Sequence, residues 1–153
     1  MAGPGMGDAL RSPEKSHAPM RPWMQYLIAF LVLAHGFIYV RIGPIASRAV
    51  KGWSGRSWLL GDTITGTHLT SLVATLHVLA GVLILACAAA IAAGGLLAGW
   101  WPPLAVAGSV IGIAAFAVFW DGQARLLFEE GGAGALISLL LLASALACPG
   151  AFA

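Results

Sequence analysis

Four long apolar runs constrain this chain more than any other feature. They lie at about Trp23 to Gly43, Thr67 to Ala93, Pro102 to Trp120 and Gly132 to Cys148. A helix needs about 20 apolar residues to cross the hydrocarbon core of a bilayer. Only helices and closed barrels satisfy their backbone polar groups there. All four runs qualify as helical crossings, so the expected fold is all-α. The expectation is an integral membrane bundle of four antiparallel transmembrane helices, spanning 23–43, 67–93, 102–120 and 132–148. The last run is short and is expected to reach into the interface. The ends carry strong stops, Gly43-Pro44, Gly94-Gly95 and Pro149-Gly150.

Composition agrees. Charged residues make up 9% of the 153 residues, against about 25% in ordinary soluble domains. The net charge of +2 and the scatter of basic residues argue against a nucleic-acid partner. Cys87 and Cys148 have no motif spacing, so neither a disulfide framework nor a zinc site is expected, and both read as small buried side chains. Residues 1–22 are rich in Gly and Pro and read as a disordered tail, with residues 149–153 as a short C-terminal tail. The first apolar run is too long for a signal-peptide core of about 7–15 residues and reads as a retained span.

Four crossings put both termini on one face, side A. The loops Pro44 to Gly66 and Asp121 to Gly131 then lie on side B. Trp23, Trp100 and Trp101 fall on side A, and Trp53, Trp58 and Trp120 on side B, as two interfacial belts would require. In the first loop Ile45, Ala49 and Trp53 recur every four residues, the pattern of a short interfacial helix. Trp58-Leu59-Leu60 could dip into the bilayer edge. Basic residues lie on both sides, and the orientation stays open.

Small residues recur along three spans: Ala74 and Gly81; Gly108 and Gly112; Gly134 and Ser138. In lipid, such seams let helices pack closely. Gly108-x-x-x-Gly112 reads as packing inside the chain, with a dimer contact as the lesser alternative.

Polar groups inside a span need a reason. His35 and Tyr39 share one helix face. Counting from the side-B ends puts His35 and His77 at similar depth, and the remaining ionisable residues also gather toward side B. The candidate pocket is therefore His35, Tyr39, Arg41, His77 and Asp121, open to side B. Three readings stand for the histidines: structural hydrogen bonds, a wall for a quinone-like or other small organic ligand, and metal or haem ligation by His35 and His77. The third has the least support, and no metal site is expected. Arg41 also has plain ion-pair partners in Asp121, Glu129 and Glu130. No hydrolase triad, HExxH or phosphate loop is present.

The run Leu33-Ala34-His35-Gly36-Phe37-Ile38-Tyr39 resembles the first span of a group of small bacterial four-span proteins. Ser57-Trp58-Leu59-Leu60-Gly61, the Gly- and Ala-rich middle spans and Trp120 extend the resemblance over roughly Trp23 to Leu146. That group is similar in layout to the DoxX-like superfamily, whose members are linked to quinone or sulfur redox work. Members often carry His-Gly-x-x-His where this chain has Tyr39, which implies a hydrogen-bonding wall rather than a metal pair. No residue pattern here carries that redox activity over, and the expectation is a multi-pass protein of the cell membrane whose polar pocket takes a quinone-like or other small organic ligand in a redox context. The alternative is a non-catalytic accessory or scaffold subunit of a larger membrane complex. Expected partners are the lipid bilayer and a membrane protein or a second copy of the chain. Whether a bond is made or broken is not written in these motifs.

Overall fold

The computed structural model describes residues 21–41, 43, 54–128 and 130–152. It is helical: α1 (Pro22–Arg41), α2 (Gly66–Ala93), α3 (Gly95–Ala98), α4 (Trp101–Phe119) and α5 (Gly132–Ala147), with a 3-10 turn at Ala124–Leu126. There is no strand among the described residues, only an isolated bridge between Ser57 and Gly61. The expected tail and the expected interfacial helix at Ile45, Ala49 and Trp53 lie outside the described residues.

Among the described residues, three stretches are long and apolar enough to cross a membrane: Pro22–Arg41, Gly66–Ala93 and Gly95–Phe119. The fourth expected span is shorter. α5 has 16 residues, or roughly 24 Å at 1.5 Å per residue, against about 30 Å of hydrocarbon. Its limits are local. Gly131 enters it at φ 107°, a conformation that disfavours side chains, and Pro149 follows its last turn. The other three helices match their sequence bounds to within two residues.

Each helix starts and stops where backbone chemistry dictates. Pro22 opens α1, and Pro102 and Pro103 sit in the first turn of α4, where a missing N–H costs nothing. Gly94 and Gly95 both hold positive φ and turn the chain from α2 through the one-turn α3 into α4. The charge-free turn between these spans is as expected.

The helices pack antiparallel in a row, α1 on α2, α2 on α4 and α4 on α5, while α1 and α5 touch only lightly. The register follows from close approaches. A Cβ on Gly36 would stand 3.0 Å from Leu85, and one on Gly81 would stand 2.5 Å from Val40 Cγ2 and 2.8 Å from the Gly36 carbonyl. A Cβ on Gly108 would meet Ile84 at 2.8 Å. The Gly108 face is thus occupied inside the chain, as the packing reading expects. Buried Ala29, Ala80, Ile84, Cys87, Ile91, Trp101 and Ala105 form the core between these helices.

Trp101 departs from the interfacial pattern. It is 2% exposed, donates its indole N–H to the Pro149 carbonyl at 3.1 Å and packs edge-on against Phe152. It locks the start of α4 to the end of the chain instead of facing headgroups. Trp23, Trp58 and Trp100 are exposed, as an interfacial belt requires. Cys87 is buried as expected, whereas Cys148 is exposed because it caps the last turn of α5.

Candidate functional site

The polar interior is built by α1, α2 and α5 around one hydroxyl. Ser138 Oγ lies 3.1 Å from His35 Nε2 and 3.1 Å from the Tyr39 hydroxyl. The spacing of four residues places both α1 side chains on the face turned to α5. Their rings meet edge to face at 4.9 Å. Tyr39 then meets His77 of α2, with ring centroids 5.4 Å apart. All four side chains are buried. Room for the Tyr39 ring comes from glycine: a Cβ on Gly112 would lie 2.7 Å from its hydroxyl.

His77 is fixed differently. Its Nδ1 donates to the Val73 carbonyl at 2.8 Å, one turn back on its own helix. A carbonyl only accepts, so the proton is on Nδ1. The ring packs under Gly43, where a Cβ would approach it to 2.6 Å. His77 therefore stands opposite Gly43, just past the end of α1 and eight residues on from His35. The depth count that set the two histidines level is thus displaced by roughly 12 Å, and Tyr39 bridges the difference. Among the described residues there is no group of three or more His, Cys, Asp or Glu able to hold a metal ion.

Between α1 and α5 runs a groove of about 170 Å³ lined by Leu31, Val32, His35, Ile137, Leu140, Leu141 and Ser144. It extends from His35 toward the N-terminal end of α1 and the C-terminal end of α5. That is toward side A, along the seam where these two helices barely touch. The sequence pattern places the mouth of the pocket on side B, with His35 and His77 as its floor. The groove instead opens sideways between two helices, and its walls are apolar. Its volume is below the roughly 300–1,000 Å³ of a site for a drug-sized molecule. It accommodates one ring or one chain segment.

The structure brings His35, Tyr39 and His77 together and leaves Arg41 and Asp121 apart. Arg41 is exposed at the end of α1, and the Arg41–Asp121 ion pair is not formed. Glu129 lies outside the described residues. Asp121 organises the side-B loops. Its carboxylate accepts the backbone N–H of Ser54 at 3.2 Å and of Gln123 at 3.0 Å, and its own N–H donates to Glu130 Oε2 at 3.2 Å. Burial pushes its carboxyl up, but the N–H groups of Gln123 and Ser54 outweigh that and hold it below the ordinary 3.8. Trp58 N–H donates to the Trp120 carbonyl at 2.9 Å, and the two indoles meet edge-on at 5.6 Å. The two side-B loops are thus clasped together. Trp58 and Leu59 are exposed while Leu60 packs on the small cluster of Leu69, Val73 and Phe119.

Sequence reasoning treated Ser138 only as a small packing residue. Its hydroxyl was the signal available, since a serine in a lipid-embedded seam needs a partner. Gln25 is a second omission: its amide donates to the Ile91 carbonyl and ties α1 to the last turn of α2. No protein-family model matches this chain, and no curated protein or solved structure is similar to it.

Proposed function

We propose that this chain is a four-span protein of the cell membrane and that the groove between α1 and α5 binds a lipid-soluble small organic ligand of quinone-like character. One observation carries the reading. His35, 5% exposed, sits at the floor of a sideways-opening apolar groove, with its Nε2 engaged by Ser138. A buried imidazole in lipid is costly unless its nitrogens find partners. Here one nitrogen is satisfied by the protein, and the ring forms part of a wall accessible from the acyl region. A ligand can then place one ring or polar head at His35 and leave its tail in the bilayer. The DoxX-like layout belongs to this proposal through the His35-Gly36 motif and the size of the bundle. In it, α5 acts as the fourth crossing, shortened at both ends.

The test is copurification. Protein extracted into lipid nanodiscs is stripped with organic solvent, and the extract is compared by mass spectrometry with empty discs from the same membranes. A species enriched with the wild type and lost when Leu141→Trp fills the groove supports the reading. No enrichment over empty discs sinks it.

The scaffold alternative has its own support. Tyr26, Phe30, Leu33 and Phe37 form an exposed ridge along the outer face of α1. That ridge suits another membrane helix as well as it suits lipid. A partner crosslinked at Phe30, in a protein with no bound ligand, would favour this reading.

A further inference from the structure

The hydrogen-bond chain at the floor of the groove has a direction, and that direction selects the ligand. This inference rests on the groove being a binding site and deepens that reading. Three groups share the chain: Tyr39 O–H, Ser138 O–H and the His35 ring. The tyrosine and serine hydroxyls each bring one proton, and the neutral imidazole brings one, on either nitrogen.

Suppose first that His35 carries its proton on Nε2. It donates to Ser138 Oγ, and Ser138 can then donate to the Tyr39 oxygen. Tyr39 then keeps a proton without an acceptor, or else it too donates to Ser138 Oγ and the Ser138 proton is the one left without an acceptor among the described residues. The Tyr39 hydroxyl faces Gly112 and Gly134, which carry no side chain to accept from it. No other hydrogen bond of Tyr39 is formed among the described residues. An unpaired donor buried away from water is strongly disfavoured.

Suppose instead that the proton is on Nδ1. Tyr39 donates to Ser138 Oγ, and Ser138 donates to the lone pair on His35 Nε2. Every hydroxyl proton is then placed. The remaining donor is His35 Nδ1–H. It has no partner among the described residues, yet it is not among the fully enclosed polar atoms. His35 lines the groove and its Nε2 is turned to Ser138, which leaves Nδ1 as the ring nitrogen a groove ligand can address. His77 differs here, since its Nδ1–H is already used by the Val73 carbonyl.

We propose that Tyr39 and Ser138 hold His35 as the Nδ1–H tautomer, so that the groove presents a hydrogen-bond donor and takes a carbonyl-bearing amphiphile. The donor fits a ketone, quinone or ester oxygen. It does not fit a ligand whose head only donates. Tyr39 acts as a positioning residue through Ser138 and does not itself reach the groove.

Nitrogen-15 NMR of histidine-labelled protein in nanodiscs reads the tautomer directly, with His35 assigned by its loss in His35→Gln. The expected spectrum has a protonated Nδ1 and a bare Nε2. Tyr39→Phe removes the donor that sets the direction, and the spectrum then becomes a mixture of both tautomers. A protonated Nε2 in the wild type overturns the proposal. The probes for the ligand class are decyl-1,4-benzoquinone and decylbenzene, which share ring and tail. The quinone should bind more tightly by on the order of fivefold, the worth of one neutral hydrogen bond, and should shift the Nδ1 signal. Ser138→Ala, which releases His35 to both tautomers, should reduce that preference. Equal binding of the two probes overturns the donor while leaving the groove as a site. Binding of neither overturns both.

Discussion

Tyr39 fills the space that two glycines leave. Its hydroxyl stands where a Cβ on Gly112 would come within 2.7 Å, while a Cβ on Gly134 would meet it at an ordinary 3.5 Å. The two positions look alike in sequence, since both are glycines in a small-residue seam. Their substitutions should differ. Gly112→Ala forces Tyr39 off Ser138 and leaves buried hydroxyls unpaired, at a cost of about 1–3 kcal/mol. Gly134→Ala should be close to neutral. Unfolding of the purified protein in mixed micelles by added denaturing detergent measures both. Equal midpoints for the two variants would mean that the Tyr39–Ser138 contact does not set the packing.

At the scale of the helix pair, α1 and α2 approach closely through Gly36 and Gly81. The Gly81 neighbour is Val40, whose branched side chain has little freedom to turn aside, and behind it lies backbone. Gly81→Ala must therefore push the helices apart, at a cost on the order of 1–3 kcal/mol. Gly99→Ala is the control, because only the Leu96 carbonyl lies near, at 3.8 Å. The same denaturation series compares them, and a tolerated Gly81→Ala would refute the close-packed register. The side-B loops depend on charge instead. Asp121 has its carboxyl held below the ordinary 3.8. A lowered folded value means that the clasp is fully held above 3.8 and is lost as the pH falls through the folded value. Acidification below about 3.8 should therefore part Trp58 from Trp120 and change the indole fluorescence. Asp121→Asn should remove most of that transition, and an unchanged acid transition in the variant would assign it to another group. Much of this scale was legible. The helix limits follow from apolar length and from Pro and Gly stops, and the seams follow from small-residue spacing. The register was not legible. Counting from span ends assumed that the end of α1 and the start of α2 lie in one plane, yet contacts put His77 opposite Gly43 and Leu85 opposite Gly36. Trp101 was misread for a related reason. A tryptophan near a span end looks interfacial until the chain end folds back and offers it the Pro149 carbonyl.

For the whole molecule, the number of crossings turns on α5. Its 16 residues fall short of the hydrocarbon thickness, but two features favour a crossing. α5 lies along α4 from the Phe116 level, where Gly131 approaches it, to the Trp101 level, where Pro149 is held. It therefore extends alongside a helix that is long enough to cross. Its outward face exposes Leu136, Ile137, Leu139, Leu140 and Leu146, and its exposed Ser144 folds its hydroxyl back onto the Leu140 carbonyl. Water would not accept that face, and lipid would. The mismatch of several ångströms can be absorbed by local thinning of the bilayer, at fractions of a kcal/mol per ångström. Cys148 reports on the outcome, because it is exposed at the end of α5 while Cys87 is buried. With four crossings, Cys148 and a cysteine introduced by Ser12→Cys face the same side. A membrane-impermeant maleimide applied to sealed, oriented vesicles should label both or neither. Labelling of one without the other would mean three crossings, and it would place the end of α5 and the side-A end of the groove on the wrong side of the membrane for a bundle closed by α5.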